Sequence, residues 1–313
     1  MSSFKFVEKK NLWFLISLSV ILLGTILMIG RGLKSQPILN YGIDFVGGNS
    51  FILKFQTLED RYIKDPENKK KINTNFMTEL RASLTDFGLE KSTIQISQNG
   101  EVIIKTLELK KETSQKVISH LEQTFNSIEI LEIDFIGPSI GEELKQKSIW
   151  IIITVFLSLL VYITLRFKVY YAYSALIAIT HDALIVISIA SLFNIEINTN
   201  FIAALLTILG YSINDTIVIF DRIRENFFKL KEKYTIADLT NISLNQTLAR
   251  TVNTSMTTIV VIASLILLGG STTREFCTVL LIGILSGTYS SLFIASPFLV
   301  TFYKSKDNNL SDI

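Results

Sequence analysis

The chain has 313 residues, 49% hydrophobic and 19% charged, with a formal net charge of +2. A soluble domain carries about 25% charged residues; here the charges crowd into 54–148 and 221–250 while long stretches have none, the pattern of a membrane protein with one sizeable aqueous domain. The small net charge, with no basic patch interleaved with aromatics, argues against nucleic acid, and the single cysteine, Cys277, inside an apolar run, leaves no disulfide or cysteine metal site.

Lys5, Lys9 and Lys10 precede an apolar run at 12–29. It exceeds a signal-peptide core of roughly 7–15 residues and no A-x-A site follows, so it is expected to be a retained membrane helix. Further spans are expected near 149–165, 169–193, 201–220 and 276–302, each approaching or exceeding the roughly 20 residues a crossing needs. The apolar stretch 259–268 is too short alone. An even number of crossings reconciles the flanking charges, and extending this stretch back to about Arg250 supplies the length while forcing a polar stripe into the membrane. Arg166, Lys168, Arg222, Arg224, Lys229, Lys231, Lys233, Lys304 and Lys306 then share one side with the N-terminal lysines, whereas the opposite loops hold only Arg274. The positive-inside rule makes that side cytoplasmic, with both termini on it.

Between spans one and two, 50–56 alternates like a half-buried strand and 68–87 reads as an amphipathic helix. Strands at 93–97 and 101–106 flank Asn99-Gly100, a hairpin signal. A helix at 112–126 and a strand at 128–136 complete β-α-β-β-α-β, the order of a ferredoxin-like α+β domain. The expected architecture is thus a polytopic α-helical membrane protein with six transmembrane helices and a small extracytoplasmic α+β domain. Its parts are 1–30 (N-terminus and first span), 31–148 (external domain), 149–303 (five-helix bundle) and 304–313 (cytoplasmic tail). The external domain has no glycine-rich phosphate loop and no cysteine, and its one histidine, His120, reads as a solvated helix position.

Three stretches resemble the SecF family. Tyr41-Gly42-Ile43-Asp44-Phe45-Val46-Gly47-Gly48 looks like its G-I-D-F-x-G-G signature. Leu209-Gly210-Tyr211-Ser212-Ile213-Asn214-Asp215-Thr216 follows, running on to Asp221-Arg222-Ile223-Arg224-Glu225. The third is Arg250-Thr251-Val252-Asn253-Thr254-Ser255, with Gly287-Thr288-Tyr289-Ser290-Ser291 and Ala295-Ser296-Pro297 in the last span. With the six-span layout, the likeness covers nearly the whole chain. The resemblance implies a bacterial cytoplasmic (inner) membrane subunit that pairs with SecD into a pseudo-symmetric twelve-span unit of the resistance–nodulation–division type. It also implies work beside the SecYEG channel, with YajC and SecA, using a proton or sodium gradient to pull unfolded preprotein through. The chain shows no internal duplication, consistent with its being one half of such an assembly.

An ionised carboxylate mid-span costs roughly 2.5–3.5 kcal/mol on insertion scales, so each intramembrane charge needs a partner or a task. Asp215 falls about 22 Å into its span. Thr207, Tyr211 and Asn214 are placed on its face, so it is expected to look into a protein interface, as an ion relay or as a buried interhelical hydrogen bond. Arg250, at nearly the same depth, is the expected counter-charge, the alternative being a snorkelling anchor. Arg250, Asn253, Thr254, Thr257 and Thr258 make one polar face. His181 and Asp182 lie mid-way along the third span, between Ser174 and Ser188, and read equally as a proton relay or a structural pair. Gly283 and Gly287 form a G-x-x-x-G expected to pack closely against a partner subunit, helped by the Ser286, Ser290 and Ser291 hydroxyls. Gly47-Gly48 reads as a turn requirement.

No nucleophile arrangement, metal-ligand cluster or cofactor motif is visible, so an enzyme is not expected. The expected function is gradient-assisted protein export. The alternatives are a small-molecule or lipid exporter half-unit of the same superfamily, which should show a large external domain with a hydrophobic portal, and a non-transporting translocase scaffold, which would tolerate loss of Asp215 and Arg250.

Overall fold

The computed structural model of the protein describes residues 4–307 apart from 91, 98, 99 and 107. Among the described residues six helices are long and apolar enough to cross a membrane: α1 (Lys10–Leu33), α6 (Pro138–Arg166), α7 (Val169–Phe193), α8 (Thr199–Leu230), α9 (Ile236–Leu268) and the continuous pair α10 (Ser271–Ser290) and α11 (Ser296–Asp307). The chain divides into two compact units, Met1–Asn40 with Ile149–Ile313, and Tyr41–Ser148.

In the helical unit, α7, α8 and α10 form the centre, α10 lying against both others and α9 against α8 and α10. Small residues permit this. A methyl added at Gly283 would land on Ile208 of α8, and one at Gly287 would come within 2.9 Å of the Ser212 Cβ. The G-x-x-x-G is therefore used inside the chain, not toward a partner, because α8 already fills the groove it makes. Gly24 of α1 meets Ser188 of α7 in the same way. Gly283→Ala is expected to destabilise the bundle by roughly 1–3 kcal/mol, read as a lower thermal midpoint in detergent. Gly30→Ala, with nothing within 4 Å, is the silent control, and equal midpoints would show that α8 and α10 are loosely packed.

The fifth span is longer than its apolar stretch indicates. Thr235 and Asp238 form a reciprocal capping box that starts α9 at Ile236, so the helix is about 50 Å long. Its polar first turns are covered by this chain: the Asn241 Oδ1 accepts from the buried amides of Phe6 and Val7 (2.9 and 3.1 Å), and the Asn245 Oδ1 accepts from Phe4 N–H. Between α10 and α11, Ser291–Ala295 form a π turn. Pro297 has no N–H to give and its ring crowds the preceding turn; the Ser296 hydroxyl donates instead to the Ser291 carbonyl (3.0 Å).

The second unit begins with α2 (Ile43–Val46), followed by β1 (Gly48–Phe55), α3 (Gln56–Lys64), α4 (Lys69–Thr85), β2 (Thr93–Ile96), β3 (Glu101–Thr106), α5 (Lys111–Phe125) and β4 (Ile128–Ile136). The strands form one antiparallel sheet in the order β2-β3-β1-β4. This is the expected β-α-β-β-α-β arrangement, with α3 as an addition that the sequence pattern did not mark. Phe55, Phe76 and Phe125 meet at its centre with ring centroids 5.1–5.4 Å apart. Gly47 and Gly48 both hold positive φ (78° and 143°), and a Cβ on Gly47 would stand 2.9 Å from Pro138, so the glycine pair serves a turn. Asn99 of the expected hairpin turn lies outside the described residues; Gly100 has φ +82°. Residues 308–313 of the expected tail also lie outside them.

Candidate functional site

The buried face of α7, polar elsewhere only at serines among the described residues, carries the ionisable pair His181-Asp182. Asp182 is fully buried, and its carboxylate is saturated. Oδ2 accepts from the hydroxyls of Ser212 on α8 (2.5 Å) and Ser290 on α10 (2.7 Å); Oδ1 accepts from Ser286 (2.7 Å) and lies 3.1 Å from the His181 Nδ1. Four contacts fill the four lone-pair positions of an ionised carboxylate. The His181 Nε2 lies 2.8 Å from the Ser17 hydroxyl of α1, and its ring stacks on Tyr289 at 6.0 Å. Four helices thus converge on one carboxylate-imidazole pair. A serine hydroxyl is only one bond beyond Cβ, so α8 and α10 reach Asp182 because Gly283 and Gly287 let them close together. Ser17 and Ser212 were not singled out in the sequence as partners of this pair, since isolated serines in apolar runs carry no periodic signal. The i, i+4 pair Ser286 and Ser290 does carry one.

Asp215, on α8, has the opposite character. It is 3% exposed, and its Oδ2 has no hydrogen-bond partner among the described residues. Cross-helix bonds set its level against α9. Tyr211 lies opposite Thr258 (3.4 Å) and Arg222 opposite Gln246 (2.6 Å), which puts Asp215 beside about Thr254 and Arg250 roughly one turn away. Arg250 acts on Asp215 electrostatically, but no ion pair within 4.0 Å joins them among the described residues. Thr251, one residue on, is also buried, with a hydroxyl that has no partner among the described residues.

The expected shared face does not form. Successive helical residues are about 100° apart, so Asp215 turns inward while Asn214 and Thr207 turn out. Arg250, Asn253 and Thr257 likewise lie on the outside of α9, with Thr254 and Thr258 half-buried at its edge. This chain therefore presents a polar strip from two membrane helices on its own surface, with the Asp215 carboxylate just beneath.

Chemically, the two centres differ in what they accept. Asp182 has no vacant acceptor position; Asp215 keeps one buried oxygen open. No group of three or more His, Cys, Asp or Glu side chains suited to a metal is found among the described residues.

Residues 116–305 match the family described as protein export membrane protein SecD/SecF, C-terminal. The chain is 36% identical over 302 residues to the protein translocase subunit SecF of Sebaldella termitidis, covering 96% of this chain and 92% of that one. It is 39% identical over 266 residues to the SecF subunit of Borreliella burgdorferi, covering 85% and 87%. The structure of SecDF from Thermus thermophilus, a translocon-associated membrane protein, superposes with a TM-score of 0.81 at 32% identity over 97% of this chain. A SecDF structure in a super-membrane-facing form gives 0.67 at 31% identity. The chain spans about two fifths of those SecDF chains.

Proposed function

The chain belongs to the SecD/SecF family as a SecF subunit, a multi-pass membrane transporter component rather than an enzyme, and from that premise we propose that it couples an ion gradient to preprotein export as one half of a SecD-paired unit. Both termini lie in the cytoplasm, the Tyr41–Ser148 unit lies outside, and the assembly works beside SecYEG with SecA and YajC on unfolded preprotein. The observation that carries the coupled half-unit is the outward polar strip of Asn214, Arg250, Asn253 and Thr257 on membrane helices. Ionisable and amide side chains do not face hydrocarbon; they face a bundle interior or a wet cavity. A second helical subunit laid on that strip satisfies them and encloses Asp215.

In this reading Asp215 is the carrier. Its open oxygen takes the ion, which neutralises the charge, releases it from the attraction of Arg250, and lets α8 and α9 shift. Asn214 and Arg250 shape the path. His181 and Asp182 hold the bundle around that path, and a relay role for the pair is tested by Asp182→Asn. Moving one charge through the full potential supplies about 2.3 kcal/mol per 100 mV, enough to bias a two-state motion that the external unit passes to substrate.

The test is export of a reporter preprotein by membranes depleted of the native subunit and supplied with this chain and its SecD partner. The expected result is rescue with the gradient intact and loss of that rescue when the gradient is collapsed. Rescue indifferent to the gradient would leave a translocase scaffold, and no rescue by a correctly assembled pair would overturn export itself.

A further inference from the structure

A second built feature lies at one end of the helical unit, away from the buried carboxylates. The end of α6, the two-residue turn Phe167-Lys168, the start of α7 and the last turns of α8 line an open cavity of about 740 Å³. Its basic wall is built around one carboxylate. Asp221 holds Arg166 at 3.0 Å and Arg224 at 3.2 Å, and both guanidinium groups lie over the Phe167 ring, 5.8 and 5.4 Å from its centre. One carboxylate thus faces two cations, leaving a surplus of positive charge with most of each guanidinium fork unused among the described residues. Lys168 adds a third cation, exposed and without an ion pair among the described residues. Glu225, also in the wall, is spent on Arg222 and Lys229, each at 2.6 Å.

The surroundings say where such a charge sits. The turn joins two membrane spans, so it lies at a bilayer face, and the rim carries Leu165 and Phe228, 84% and 70% exposed. An apolar rim next to convergent arginines at that depth matches a lipid, with acyl chains along the rim and a phosphate in the wall.

We propose that this cavity binds the phosphate headgroup of an anionic phospholipid, held by Arg166, Arg224 and Lys168. Under the topology proposed above the lipid belongs to the cytoplasmic leaflet; that leaflet assignment alone rests on the export reading, and the binding itself does not.

The experiment is native mass spectrometry of the full chain in detergent, titrated with phosphatidylglycerol, phosphatidylcholine, inorganic phosphate and a hexaglutamate peptide. Phosphatidylglycerol is expected to bind in preference to the other three. Affinity should fall about fivefold for Lys168→Gln and roughly 25-fold for the Arg166→Gln, Arg224→Gln pair. Arg166→Lys with Arg224→Lys should fall between, since charge remains while the fork is lost. Equal uptake of phosphatidylcholine, or undiminished binding by a monodisperse double variant, overturns the site. Phosphate or peptide binding as tightly as phosphatidylglycerol overturns the lipid assignment in favour of a free anion or an acidic protein partner. If the double variant fails to fold, Lys168→Gln decides: an exposed residue with no ion pair, it must still weaken binding. Because the readout is lipid uptake, its failure leaves gradient-driven export untouched.

Discussion

Asp215→Asn is expected to abolish the gradient-dependent part of export while the subunit still folds and assembles. Asn has the shape of the protonated acid and no charge to lose, so it fixes the site in its neutral state. Folding should survive because the Asp215 Oδ2 has no hydrogen-bond partner among the described residues, and a neutral side chain lifts the roughly 2.5–3.5 kcal/mol cost of a mid-span carboxylate. The bias removed is about 2.3 kcal/mol per 100 mV for each charge carried, equivalent to tens of fold in a two-state equilibrium. The measurement is the ratio of reporter export with the gradient intact and collapsed, alongside co-purification of the SecD partner. Wild-type-like gradient dependence in the Asn variant would sink the carrier role of Asp215.

Asp182→Ala is expected to act on stability before it acts on coupling. Its carboxylate is the common acceptor for Ser212, Ser286 and Ser290 and the neighbour of the His181 Nδ1. Losing it strands buried donors, each costing about 1–3 kcal/mol if unsatisfied. Some rebond to their own helix, as Ser290 already does to the Gly287 carbonyl at 3.1 Å. The net loss should be roughly 3–5 kcal/mol, a large share of a typical stability, seen as a sharply lower thermal midpoint and low abundance. Asp182→Asn keeps the shape and one acceptor oxygen, so it should be milder. If the Asn variant is stable yet blind to the gradient, His181 and Asp182 belong to the relay. If the Ala variant melts like wild type, this pair is not what holds the four helices together.

The two substitutions replace chemically identical side chains and are expected to have opposite outcomes, and nothing in the spacing of residues distinguishes them. What the amino-acid sequence determined by itself was much of what depends on local period and on the exclusion of polar groups from lipid. The apolar runs marked the membrane helices. The alternation at 50–56 and 128–136 marked β1 and β4. The motifs around Asp44, Asp215 and Arg250 pointed to the family. The fifth span was legible only once Arg250–Thr258 was admitted as membrane helix, and its true start at Ile236 was hidden because Asn241 and Asn245 look like a loop until the N-terminal segment covers them.

Tertiary structure alone decided which polar residues meet. Asn214 and Asp215 are neighbours in the chain, yet the 100° turn between them sends one outside and the other into the bundle. Ser17 and His181 are 164 residues apart and touch at 2.8 Å, and the G-x-x-x-G, which by sequence could serve any helix, is closed on α8. The physical reason is the same in each case. A hydrophobic pattern fixes that a helix crosses the membrane and which side is polar, but the rotation and partner of that helix come from close packing of small residues, and close packing is a property of pairs of helices that no single segment contains.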